Sequence, residues 1–184
     1  MLHAINFYRQ QRAAGHDLYL SVHARLLAAV DSAHGVAFRR VLNGLELPHE
    51  DIVLQLPQVT QNQNWQLNVV ADNYRRNGFR LALNAADARQ AFDLLDQARF
   101  EVIKVAAREI NDEEATLRLL REAAARGMRL IFTRVQTQAV HATLLRLGEQ
   151  AQQAIFAQGC LWDLPAASLD AAGAVARATD FAAG

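Results

Sequence analysis

Apolar and polar positions alternate between two rhythms along this chain, and three segments share one local grammar. They read AAGHDLYLS (13–21), RNGFRLALN (76–84) and ARGMRLIFT (125–133). In each, a helical stretch ends at a glycine, a few residues pass, and a short apolar run closes on a small polar residue. Gly15, Gly78 and Gly127 suit the left-handed position that terminates a helix. The apolar runs are too short for helices and are bounded by punctuation, so they predict strands; their near-continuous apolarity predicts burial on both faces, as in a parallel sheet. Three further strands are predicted at Ile52–Leu56, Phe100–Val105 and Ala154–Ala157.

Amphipathic stretches separate these strands. Residues 24–43 carry Leu27, Val30, Phe38, Val41 and Leu42; residues 61–76 carry Trp65, Val69, Val70 and Tyr74; residues 87–98 carry Phe92, Leu94 and Leu95. The clearest helix is 112–126, with Asn111 as its N-cap, Glu114 three residues on, and Leu117, Leu120 and Ala124 on one face. Thr137 caps the next, which runs through Val140, Leu144 and Leu147 before Gly148. The order is a helix, five βα units, a sixth strand and a tail. That alternation predicts a parallel α/β sheet, as a barrel or a doubly wound sheet.

Composition narrows the class. The 184 residues carry 19 basic and 19 acidic side chains, for a formal net charge of zero, and 52% are hydrophobic. One domain with an ample core is expected. Charge balance argues against a nucleic-acid partner, which requires a basic face. A lone cysteine, Cys160, excludes an internal disulfide framework and a cysteine-clustered zinc site. There is no apolar run long enough to span a membrane and no secretory signal pattern, so a cytoplasmic domain is expected. No linker rich in Gly, Ser or Pro divides the chain; residues 1–165 read as the domain and 166–184 as an alanine-rich tail, a weak helix with Ser168 as its cap or a frayed end. Of the 19 basic residues, only Lys104 is a lysine.

In parallel α/β folds functional groups lie at the C-terminal ends of the strands. Those ends are Ser21, Gln55, Asn84, Lys104, Thr133 and Gln158. None is a carboxylate or an imidazole. A site for Mg²⁺ or Ca²⁺ needs anionic oxygen donors, so neither a metal nor another cofactor is expected.

The strand ends and their spacings resemble the EAL domain, the cyclic di-GMP phosphodiesterase family, from its third barrel strand onward. LYLSVHARLL (18–27) resembles V-N-L-S, with Ser21 where the metal-binding Asn stands. IVLQLPQ (52–58) resembles L-E-I-T-E, with Gln55 in place of the metal-binding Glu. LALNAAD (81–87) resembles A-L-D-D-F-G, with Asn84 and Ala85 in place of the paired aspartates. VIKVA (102–106) resembles L-K-I-D, keeping Lys104 while Ala106 replaces the Asp. LIFTRVQT (130–137) resembles V-A-E-G-V-E-T, with Thr133 and Gln136 for the two glutamates. QGCLWDLP (158–165) resembles Q-G-Y-L-F-G-R-P, keeping Gln158, Gly159 and Pro165. The family's first two strands, with the E-A-L or E-x-L signature, are absent from this chain.

The resemblance implies an incomplete TIM-type (β/α) barrel of about six parallel strands with flanking helices. It also implies the loss of catalysis, because the family activates water with two cations held by those carboxylates. Two functional readings follow. One is a catalytically inactive regulatory domain in cyclic di-GMP-related signalling that works through a protein partner or as a homodimer, since open sheet edges need a cover. The other is a non-hydrolysing receptor for cyclic di-GMP or another nucleotide; a third, an active cyclic di-GMP phosphodiesterase, is disfavoured by the lost carboxylates. Each strand-end residue likewise has two readings. Gln55 and Asn84 either cap strand ends or touch a ligand, and Lys104 is either a relic in a buried hydrogen-bond network or a ligand contact. The six histidines lack metal-ligand spacing and read as solvated surface groups; Trp65 and Trp162 read as core or rim aromatics, and Cys160 as a small buried hydrophobe.

Overall fold

The computed structural model describes residues 2–10, 16–23, 33–57, 64–95, 100–108 and 110–162. The expectations for Gly15, for residues 24–32, for the side chain of Trp65 and for the 166–184 tail lie outside the described residues. Helix α1 (Leu2–Tyr8) precedes strand β1 (Leu18–Ser21). Then follow α2 (His34–Gly44), β2 (Ile52–Leu56), α3 (Asn64–Arg76), β3 (Arg80–Ala85), α4 (Ala88–Leu95) and β4 (Val102–Ala106). The chain continues with α5 (Glu113–Ala125), β5 (Arg129–Thr133), α6 (Gln138–Ala151) and β6 (Phe156–Gln158). The six strands are all parallel and lie in sequence order from β1 to β6. The sheet curls into a half-barrel, an incomplete TIM-type α/β fold.

The helix stops are local chemistry. Gly78 (φ 84°) and Gly127 (φ 66°) both sit in the left-handed region. After α3, Gly78 N–H bonds Arg75 O and Phe79 N–H bonds Tyr74 O; after α5, Gly127 N–H bonds Ala124 O and Met128 N–H bonds Ala123 O. These paired bonds return the last carbonyls of each helix to partners and swing the chain into the next strand. Helix α6 uses the same device without glycine: Gln152 takes φ 54°, and Gln153 N–H bonds Gly148 O. Gly148 is therefore inside α6 rather than after it. It is there for packing, since a Cβ on it would meet Ile155 Cγ1 at 2.6 Å.

Other boundaries also move. The N-cap of α5 is Asp112, not Asn111, because the Asp112 carboxylate accepts from Ala115 N–H at 2.9 Å. That carboxylate serves the helix's orphan donors and its positive end together. Thr137 caps α6 as its position predicts, accepting from Val140 N–H. Strand β4 is shifted to Val102–Ala106, and β6 to Phe156–Gln158. In both cases pairing with the neighbouring β5, rather than apolarity alone, sets the limits.

Period-two alternation sends residues to two faces. Outward, Leu54, Leu81 and Leu83 pack with Leu42 of α2 and with Ala71 and Tyr74 of α3. Further round, Ile103, Val105, Leu130 and Phe132 pack with Ala91 of α4, Leu119 and Leu120 of α5, and Leu144 and Leu147 of α6. Inward, Val53, Ala82 and Val102 form a small buried floor with Tyr19 and Ile131 beside it.

Candidate functional site

Two residues beyond each inward floor position, the same face of each strand reaches its C-terminal end. Tyr19 leads to Ser21, Val53 to Gln55, Ala82 to Asn84, Val102 to Lys104 and Ile131 to Thr133, while Phe156 leads to Gln158 on β6. All six sequence-derived candidates therefore sit on the inner face of the half-barrel. Backbone register sets Ser21 beside Gln55, Asn84 beside Lys104 and Thr133 beside Gln158.

The candidates differ in what they do. Lys104 is 8% exposed, and its Nζ donates to Gln55 Oε1 at 3.1 Å across the lumen from β4 to β2. The same ammonium stands 4.5 Å from the centre of the Tyr19 ring, which arrives from edge strand β1. Burial holds the lysine below its ordinary pKa, since the charged form loses hydration that an amide and a ring only partly replace. The Thr133 hydroxyl donates to Val105 O at 3.3 Å, so it is spent on its own sheet. Ser21 and Gln158 stand exposed on the two edge strands, and Asn84 is half-buried.

A divalent cation does not fit this donor set. Amide and hydroxyl oxygens beside a buried ammonium supply no anionic ligand to offset dehydration of the ion. Among the described residues, no group of three or more His, Cys, Asp or Glu side chains is placed to hold a metal.

The opposite end of the lumen is built from residues that sequence reading passed over. Asp17 precedes β1, and its carboxylate takes Arg80 Nη2 at 2.6 Å and Arg129 Nη1 at 3.0 Å. Arg80 also donates to Glu50 O at 2.8 Å, and the Arg129 guanidinium lies 5.3 Å from the centre of the Phe156 ring. Tyr19 was findable, because it is two positions before Ser21 and so shares its face. Asp17 lies one step further along the same alternation but just outside β1, where the alternation no longer fixes direction.

Cys160 corrects one expectation: it is exposed, because it falls in the turn after β6, beyond the cover of the helices. Trp162 is a rim aromatic, 40% exposed and edge-to-face with His141 at 5.0 Å. His141 and His49 are correspondingly not free surface groups; His49 packs edge-on against Phe79. No helix among the described residues is long and apolar enough to cross a membrane.

Comparison with known proteins bears on this geometry. No curated protein matches the chain. Among solved structures, the FimX EAL domain aligns with a TM-score of 0.70 at 20% identity, over 91% of this chain and 68% of that one. Klebsiella pneumoniae BlrP1, in a complex with calcium and cyclic di-GMP, aligns with a TM-score of 0.72 at 19% identity, over 88% of this chain and 42% of that one. The Xanthomonas citri FimX EAL domain, in complex with cyclic di-GMP, aligns with a TM-score of 0.63 at 16% identity, over 91% of this chain and 69% of that one. At such identities these likenesses carry the fold alone. The model of the EAL domain family matches residues 1–157, and with the half-barrel order and the strand-end positions in place, the chain belongs to the EAL domain family.

Proposed function

We propose that this chain is a non-hydrolysing EAL module of bacterial cyclic di-GMP-related signalling, working in the cytoplasm through protein contacts rather than through chemistry. One observation carries the reading: the strand ends at the inner face present Ser21, Gln55, Asn84, Lys104, Thr133 and Gln158, an uncharged set apart from one buried ammonium. Metal-activated water needs carboxylates to hold the cations, and these side chains do not provide them. The two sheet edges favour contact as the mode of action. Strands β1 and β6 each pair on one side only among the described residues, and Phe156 on β6 is 48% exposed. Such edges are covered in natural proteins by another element or another chain. The occupant proposed is a second copy or a protein partner.

Incubation with cyclic di-GMP and excess Mn²⁺ or Mg²⁺ tests the first half of the reading. The linear dinucleotide should not rise above the protein-free control, and sustained metal-dependent turnover would overturn it. Light scattering at micromolar concentration tests the second half, with a dimer or a complex expected. A second reading, a receptor that binds without cleaving, is favoured by the retained Lys104 and is separated from the first by calorimetric titration with cyclic di-GMP.

A further inference from the structure

Tyr19 and Lys104 meet across the lumen in a way that neither the sheet nor the core requires. Tyr19 stands on β1, which pairs with β2 through only four residue pairs. Its ring faces the Lys104 ammonium at 4.5 Å, while its own hydroxyl is buried without a hydrogen-bond partner. An orphaned buried hydroxyl costs free energy that phenylalanine at this position would avoid. The ammonium is also under-served: it has three N–H donors, Gln55 Oε1 takes one, and no described carboxylate pairs with it.

We propose that Tyr19 is a lid that closes an oxyanion site at Lys104, its ring occupying the place in front of the ammonium that a phosphate group would take. In the closed form the ring face stabilises the cation weakly and leaves two kinds of donor unmet, the ammonium N–H groups and the Tyr19 hydroxyl. An oxyanion taking the ring's place would satisfy the ammonium, and the displaced hydroxyl would gain water or the oxyanion itself as its partner. The lid is carried on an edge strand, so its displacement breaks pairing on one side only. The inference rests on the non-hydrolysing reading above and concerns how that same site is regulated.

Lys104 is the chain's one lysine, which makes it addressable by an amine-acylating reagent. Acylation by acetic anhydride is followed at the Lys104 peptide by mass spectrometry in the whole chain. In the folded wild type, Lys104 should react at least about tenfold more slowly than in the urea-unfolded chain, because the closed ring shields it. Tyr19→Phe keeps the ring and should stay protected. Tyr19→Ala should remove most of the protection, and inorganic phosphate should then restore it by occupying the opened site. If Tyr19→Ala does not fold, Tyr19→Val, smaller but suited to a strand, carries the same comparison. Rapid acylation of the folded wild type, a folded Tyr19→Ala or Tyr19→Val variant that stays protected, or an opened variant indifferent to phosphate would each overturn the lid. Hydrolytic turnover in the separate metal assay would instead overturn the functional reading, so the two failures are distinguishable.

Discussion

At the scale of single residues, Lys104 sets the most distinctive property of this protein. Its burial among an amide, a ring and apolar floor residues lowers its pKa, so the folded chain holds this proton less tightly than the unfolded chain. Between that lowered value and the ordinary lysine value of about 10.4, the unfolded state binds more protons, and stability rises with pH. Below the window the full penalty is present; above it the penalty is gone. Each unit of depression corresponds to about 1.4 kcal/mol. Tyr8 and Tyr74 act in the opposite sense, their phenols being pushed up to about 12 chiefly by burial. In the unfolded chain they ionise near pH 10, so their contribution is lost as pH climbs beyond that point. Urea unfolding across the alkaline range should therefore show stability rising and then falling. Lys104→Met should abolish the rise and leave the fall, and an unchanged profile would show that the lysine is better hydrated than its burial implies.

At the scale of elements, the joints between strand and helix were legible where the chemistry is local. Gly78, Gly127 and the Thr137 cap act within a few residues of themselves. Gly159 differs, because its role depends on a distant strand. A Cβ there would overlap the Val135 carbonyl oxygen, on the loop that follows β5. Backbone bonds from Val135 N–H to Gln158 O and from Leu161 N–H to Val135 O clamp the same two loops together. Gly159→Ala must pry this clamp apart, and a loss of roughly 1–3 kcal/mol is expected from overpacking against rigid backbone. Gly44→Ala is the contrast, since an added Cβ there meets open space at a helix end. It should leave stability unchanged or slightly raised, as alanine restricts the unfolded chain. Chemical denaturation of both variants checks the pair, and equal effects would show that the clamp yields.

At the scale of the whole molecule, the half-barrel keeps its curl by side chains that reach across the lumen. Asp17 and Arg129 are 112 residues apart along the chain, and their ion pair joins the entry of β1 to the start of β5. Arg80 shares the same carboxylate, and the Lys104–Gln55 bond and the Tyr19 ring span the other end. The Asp17, Arg80 and Arg129 side chains are partly exposed, so each of these two ion pairs is worth less than about 1 kcal/mol. Asp17→Ala should cost less than about 2 kcal/mol in total, since two pairs are lost together. A double-mutant cycle with Arg129→Ala checks the share carried by the long-range pair; zero coupling would show that the sheet curls without it.

The order of elements, the six parallel strands and the side chains at their inner ends, none of them a carboxylate, are legible in the sequence. Each of these is written in neighbours: strand length in a short apolar run, helix ends in glycine or a capping oxygen, and facing direction in the two-residue alternation from Val53 to Gln55 or Val102 to Lys104. The choice of Asp112 over Asn111 as the cap of α5 is local, made by its bond from Ala115 N–H, whereas tertiary structure alone decided that Gly148 lies inside its helix under Ile155 and that Cys160 is exposed. It alone decided that Tyr19 covers Lys104 and that Asp17 closes the far end. The physical reason is the sheet's curvature. Each strand turns a little relative to the last, and only the sum over several strands brings β1 within a side chain's reach of β4 and β5.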